Sequence, residues 1–224
     1  MTATFDRASR SAPDLSAMEV APALIVIVED DPGVREGLGD LLASVGLESI
    51  GFETTAHLLA ATLPDRPGCL VLDIRLPGAS GLDLQTTLAS RGNSMPVIFM
   101  TGYGDVPTSV RAMKAGALDF LTKPFSDQDM LDAIAAAIAR DRERRNASAA
   151  VDEIAALAAT LTPRETEIMA AVTRGMLNKQ IAHQLQLSEI TVKIHRGNMM
   201  RKMLATSVAD LVRKVELLRT RPPG

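Results

Sequence analysis

Four short apolar runs in the first part of the chain each end in polar or ionisable residues, in the order Glu29-Asp30, Asp73, Thr101 and Lys123. The runs are Leu24-Ile25-Val26-Ile27-Val28, Cys69-Leu70-Val71-Leu72, Val97-Ile98-Phe99-Met100 and Leu118-Asp119-Phe120-Leu121-Thr122. Their length suits strands, and near-continuous Val, Ile and Leu marks strands buried on both faces, as in a parallel sheet. Helical patterns fall at 32–45, 55–61, 81–91, 106–115 and from Ser126 onward, with a weaker strand around 48–52 after the first. This alternation predicts a doubly wound α/β fold with a five-stranded parallel sheet. In such a sheet the carboxyl ends of adjacent strands line one crevice, so residues far apart in sequence converge there.

Three carboxylates, a hydroxyl and an ammonium in one crevice suit a divalent cation and a phosphoryl group. A hard cation such as Mg²⁺ takes oxygen ligands and keeps several waters, so one or two carboxylates and a phosphate oxygen suffice. Asp30 and Asp73 are the first candidates, with Glu29 ligating directly or through water. A carboxylate can also act as a nucleophile and form an acyl phosphate. Asp73, just before the turn sequence Leu76-Pro77-Gly78, is placed for that role. Lys123 and the cation would then neutralise the phosphoryl oxygens, and the Thr101 hydroxyl would donate to them. If Thr101 moves toward the phosphoryl group it vacates space for an aromatic, and Phe120 is the candidate switch residue. Each residue has a plainer alternative: a strand-end acid as a cap, Lys123 as a surface charge, Phe120 as core. A metal-dependent phosphatase pocket is the competing enzyme reading, but Arg75 stands where its second acid or base would be needed.

The chain has 224 residues and 46% hydrophobic content, enough for two ordinary domains. Its apolar stretches, 23–28 among them, fall far short of the roughly 20 residues that cross a bilayer, so no membrane association is expected. Residues 1–20 lack the apolar centre of a signal peptide and read as a flexible extension of a cytoplasmic protein. The single cysteine, Cys69, excludes an intramolecular disulfide and suits a buried, inert thiol. Residues 1–149 hold 13 basic and 20 acidic side chains, whereas 150–224 hold 11 and 7, so an acidic front precedes a basic tail. The expected division is an extension over 1–22, an α/β domain over 23–140, a helical linker over 141–160 and an all-α domain over 161–224.

In that last part Thr162-Pro163-Arg164-Glu165 has the form of a capping box with proline at the first helical position. A second helix is expected from Asn178 to near Leu185. Ser188 caps a third, to about Met203, and Ser207 starts a fourth through Leu218. Two short helices joined by a three-residue turn form a helix-turn-helix. On the third helix Val192, His195, Met199 and Met203 make one stripe toward the core, which predicts a packed, hydrogen-bonded His195. Lys193, Ile194 and Gly197 lie opposite, with Thr191 also among the candidate DNA contacts. In a major groove Lys193 suits guanine acceptors and Ile194 a thymine methyl. Arg196, Arg201 and Lys179 suit phosphates. A solvated protein-interaction face is the alternative for this basic tail. The Ala-rich stretch 133–160 favours helix, though Asn146 and Ser148 are places where it could break.

The segments Val26-Ile27-Val28-Glu29-Asp30-Asp31, Leu70-Val71-Leu72-Asp73-Ile74-Arg75-Leu76-Pro77-Gly78, Phe99-Met100-Thr101-Gly102-Tyr103-Gly104-Asp105 and Asp119-Phe120-Leu121-Thr122-Lys123-Pro124-Phe125 resemble the flavodoxin-like receiver domain of two-component response regulators. Leu161-Thr162-Pro163-Arg164-Glu165, Asn178-Lys179-Gln180-Ile181-Ala182 and Thr191-Val192-Lys193-Ile194-His195-Arg196 resemble the DNA-binding domain of LuxR-type regulators. The pairing is similar to the FixJ group. The resemblance implies phosphorylation of Asp73 by a sensor histidine kinase with Mg²⁺ held at Glu29, Asp30, Asp73 and the Arg75 backbone carbonyl. It implies limited self-phosphorylation and autodephosphorylation, and a cis peptide between Lys123 and Pro124. It further implies a phosphorylation-dependent homodimer formed through 106–139, double-stranded promoter DNA as ligand, and RNA polymerase as a partner. Glu29 departs from the commoner aspartate by one added methylene, so its ligation is direct or through water, and Phe120 departs from tyrosine, which removes only a hydroxyl. Gly197 stands where some LuxR-type members carry a basic residue, so one base contact is expected to be missing.

Overall fold

In the computed structural model, residues 22–76, 79–102, 112–114 and 116–220 are described, with backbone alone at 79, 80 and 82. The extension over 1–21, the Pro77-Gly78 turn, the Tyr103-Gly104-Asp105 segment and most of the 106–115 helix lie outside them. Internal contacts divide the chain into two compact units, the first continuing to Ile138 and the second consisting mainly of residues from Ala139 onward.

The first unit carries β1 (Leu24–Val28), α1 (Pro32–Ser44), β2 (Glu48–Phe52), α2 (Thr55–Ala60), β3 (Gly68–Asp73), β4 (Arg75–Leu76), β5 (Ala79–Ser80), α3 (Gly81–Ser90), β6 (Val97–Thr101) and β7 (Asp119–Thr122). Helix α4 (Asp127–Ala159) begins in this unit and ends in the second. The five longer strands form one parallel sheet in the order β2-β1-β3-β6-β7. Strand alternation splits the core in two. Val26, Val28, Leu70, Leu72, Val97 and Phe99 pack with Leu58 of α2 and with Leu84 and Leu88 of α3. Ile25, Ile27, Cys69, Val71, Ile98 and Met100 pack on the other face with Leu38 and Leu42 of α1 and with Met130 and Ile134 of α4. Helices therefore cover both faces, which explains why the central strands β1, β3 and β6 are buried along their whole length.

Strand β2, ESIGF, is polar at its start because it lies at one edge of the sheet: it pairs only with β1, and none of its positions is fully buried. The β4–β5 pair, antiparallel through Arg75 opposite Ser80, is too short to have a periodic signature in the sequence. Helix α1 starts where expected because the Asp31 side chain accepts from the Val34 N–H and Pro32 occupies the first turn.

The second unit contains the end of α4, then α5 (Pro163–Thr173), α6 (Asn178–Leu185), α7 (Glu189–Lys202) and α8 (Val208–Arg219). Helix α4 runs unbroken through Asn146 and Ser148. The capping box of α5 is complete: the Glu165 N–H donates to Thr162 Oγ1, and the Thr162 N–H to Glu165 Oε2. Gln186 takes a left-handed conformation at the end of α6, and Ser188 caps α7 by accepting from the Thr191 N–H, so three residues make the turn. Ile154, Ile168, Val172, Ile181, Val192, Met199, Met203 and Leu211 form the core. Among the described residues no helix is long and apolar enough to cross a membrane.

Candidate functional site

Register places the acidic residues side by side. Val28 pairs with Leu72, so Glu29 emerges from β1 level with Asp73 at the end of β3. The metal-capable oxygens of Glu29, Asp30 and Asp73 all lie within 4.8 Å of one another. Glu29 and Asp73 are buried, whereas Asp30 is exposed and leaves the group open to solvent. Lys123 follows β7, two strands away from β3. Its long side chain spans that gap, and Nζ donates to Asp73 Oδ2 at 2.7 Å and to Glu29 Oε2 at 2.6 Å. The Lys123–Pro124 peptide is cis, as the resemblance implied.

Thr101 closes β6 as a buried residue, and the backbone N–H of Lys123 donates to its carbonyl at 2.7 Å. Phe120 is half-buried, opposite Phe99 in the ladder and packed on the core face that includes Phe99. Asp73 Oδ1 accepts the Arg75 N–H at 2.7 Å, so backbone and lysine hold its two oxygens separately. Gly81 opens α3 so close to Asp73 that a Cβ there would lie 2.6 Å from the Asp73 carbonyl oxygen. Only glycine lets the helix begin against that strand end.

Arg35 was absent from the sequence reading. Its guanidinium donates to the Glu29 carbonyl at 2.6 Å and approaches that of Asp30 at 3.4 Å, tying the acidic pair to α1. Its stem passes over β2, where a Cβ on Gly51 would lie 3.0 Å from both Arg35 Cγ and Cδ. An isolated glycine inside a strand was the available signal for such an approach.

The charges are unevenly matched. Burial pushes the Glu29 carboxyl above its ordinary value of 4.5, and the Lys123 ammonium offsets this only in part. Burial alone would lower the Lys123 value, but its bonds to Asp73 and Glu29 hold it above 10.5. One ammonium thus serves two buried carboxylates beside a third, exposed one, and the surplus negative charge suits an added cation. An all-oxygen donor set of this kind fits a hard divalent ion.

In the second unit, Val192, Met199 and Met203 are fully buried on one side of α7. His195 departs from the expected packing: it is only half-buried, and its side chain makes no hydrogen bond among the described residues. It sits at the margin of the stripe, since three residues advance a helix by less than a full turn. Lys193, Ile194 and Gly197 are exposed on the opposite side, and Lys179 is exposed on α6. Thr191 shares a 2.8 Å hydroxyl contact with Ser188 at the head of α7. Arg196 is partly committed within the fold, donating to Asn178 Oδ1 at 2.9 Å and so linking α7 to α6. Arg201 is exposed and bonded to the Asn198 side chain. Lys202, not singled out from the sequence, donates to Glu165 Oε2 at 2.6 Å and to the Thr160 carbonyl at 3.1 Å.

Residues 25–135 match the family described as response regulator receiver domain, and residues 159–215 match bacterial regulatory proteins of the luxR family. The chain is 53% identical to Nodulation protein W of Bradyrhizobium diazoefficiens, covering 88% of this chain and 86% of that protein. It is 42% identical to the transcriptional regulatory protein FixJ of Azorhizobium caulinodans, covering 88% and 93%. Among solved structures, the response regulator StyR superposes with a TM-score of 0.78 at 45% identity over 88% of this chain and 99% of that one. Full-length FixJ from B. japonicum gives 0.54 at 36% identity, over 89% and 98%.

Proposed function

Since the chain belongs to the response regulators that join a receiver domain to a LuxR-type helix-turn-helix domain, we propose that it is a phosphorylation-controlled transcription regulator whose phosphoacceptor is Asp73. The observation that carries this reading is Asp73 Oδ2 held 2.7 Å from Lys123 Nζ, beside two further carboxylates with oxygens within 4.8 Å. A sensor histidine kinase supplies the phosphoryl group from a phosphohistidine. A carboxylate oxygen of Asp73 attacks phosphorus, the P–O bond forms, the P–N bond breaks, and the imidazole leaves with its electron pair and takes up a proton. Asp30, Asp73, the Arg75 carbonyl and Glu29, directly or through water, would hold Mg²⁺, which would supply charge neutralisation for the transferring group. The Arg75 N–H and Lys123 orient the Asp73 carboxylate before attack. Lys123 then exchanges a carboxylate for a phosphoryl oxygen, and Thr101 donates its hydroxyl to another. Movement of Thr101 admits Phe120 on the same face of the sheet.

The output is a homodimer, formed through the face that includes 106–139, that binds promoter DNA in the cytoplasm and engages RNA polymerase. Lys193, Ile194 and Thr191 face base edges across Gly197, while Lys179, Arg201 and the remaining donors of Arg196 take phosphates. Binding to a pool of genomic fragments, with and without acetyl phosphate and Mg²⁺, tests the reading when wild type and Asp73→Asn run in parallel. Retention that rises with phosphodonor in wild type alone supports it. Retention that is absent, or equal in the two proteins, refutes the coupling of pocket to DNA.

A further inference from the structure

Ile190 is more exposed than Ile194 and lies outside the core against which α7 packs. It is 72% exposed and Ile194 58%, at positions i and i+4 of one helix. A β-branched residue in an exposed helical turn has no advantage in helix propensity and leaves apolar surface in water. Packing at the head of α7 does not use it: the residue before the Ser188 cap is Leu187, and Leu187 and Val192 are the two that join the core there. The helical period puts Ile190, Lys193, Ile194, Gly197 and Arg201 on one stripe opposite Val192, Met199 and Met203. That stripe carries two cations and no carboxylate. A Cβ on Gly197 would meet nothing within 4 Å, so the helix presents a notch beside the two isoleucines.

An apolar pair flanked by cations, near the start of the second helix of a helix-turn-helix, fits the one apolar group that the major groove displays, the thymine 5-methyl. We infer that Ile190 is a specificity-determining residue, reading a thymine methyl in the half-site next to the one read by Ile194, with Gly197 allowing the close approach. This rests on the proposed DNA-binding function and names the sequence class that function requires: a half-site with neighbouring thymines.

The test uses the full chain with acetyl phosphate and Mg²⁺, and duplexes selected from a random-sequence pool by the wild-type protein. Each thymine of the selected half-site is replaced in turn by deoxyuridine, which removes the methyl alone. One replacement is expected to weaken wild-type binding about fourfold, the effect of losing one buried methyl group, and to leave Ile190→Ala binding unchanged. Ile194→Ala must still respond at that position, which separates a local contact from a general loss of fit. The inference fails if no thymine shows this pairing. It also fails if Ile190→Ala weakens binding equally on methylated and methyl-free duplexes, as a protein contact or backbone packing would. Failure to select any duplex overturns the DNA-binding reading itself, and this inference with it.

Discussion

Each unit buries a glutamate against a lysine, and the two pairs behave in opposite ways. In the helical unit Glu165 is matched: Lys202 and the Thr162 N–H both donate to it, and the carboxyl is held down to about 2. In the receiver unit Glu29 shares Lys123 with Asp73 and lies beside Asp30, and burial keeps its carboxyl above the ordinary range. The geometry of the contacts is nearly the same, at 2.6 Å in each lysine–glutamate pair. What differs is the number of anions per cation. A balanced pair fixes structure, here by tying the end of α7 to the capping box of α5 and to the Thr160 carbonyl just after α4. An unbalanced one holds an unmet demand for positive charge, which ligand binding can satisfy.

The contrast breaks first if the lysines are removed. Lys123→Met is expected to abolish the phosphodonor-dependent gain in DNA binding while the protein stays folded; a normal gain would show that the pocket does not use its ammonium. Lys202→Met is expected to leave acceptance of the phosphoryl group by Asp73 intact, read by mass spectrometry, and to lower the calorimetric unfolding temperature by several degrees, because Glu165 is left buried without its cation, with only the Thr162 N–H still donating to it. An unchanged transition would mean that the pair contributes nothing.

Acid sharpens the comparison through opposite signs. Glu165 is depressed, so its contribution is complete above the unfolded value of about 4.5 and is lost as pH falls through about 2. Glu29 is raised, so its contribution is greatest below 4.5 and declines as pH rises through its folded value. Denaturation series from pH 2 to 7 on Glu165→Gln and Glu29→Gln should show pH slopes altered in opposite directions. By the same logic a proton competes with Mg²⁺ at Glu29. Titration calorimetry in buffers of different ionisation enthalpy should detect proton release that varies with pH, and release that is flat with pH removes Glu29 from the ligand set. The smallest expected effect is Thr162→Ala, which removes one half of the capping box and costs about 1 kcal/mol, read from urea unfolding.

Legibility in the sequence followed the range of the interaction that decides each feature. The central strands and the caps at Thr162, Ser188 and Ser207 rest on burial of whole runs or on bonds within one turn, and they stand where expected. Glu29, Asp30, Asp73 and Lys123 converge because the topology of a parallel sheet leaves little choice about where strand ends go. Arg35 over Gly51, Arg196 on Asn178 and Lys202 on Glu165 depend on side chains meeting across separate elements, which periodicity does not encode. His195 illustrates the limit of a stripe argument: membership of the apolar side was readable, but depth within it depends on neighbours from other helices.

Helix α7 keeps its two duties on separate sides, with Val192, Met199, Lys202 and Met203 turned to the fold and Ile190, Lys193, Ile194 and Gly197 turned away from it. On the proposed DNA-binding reading the outward set is an exchangeable cassette: rewriting those four positions should redirect the regulator to a new address while leaving the inward residues, and the helix they seat, untouched.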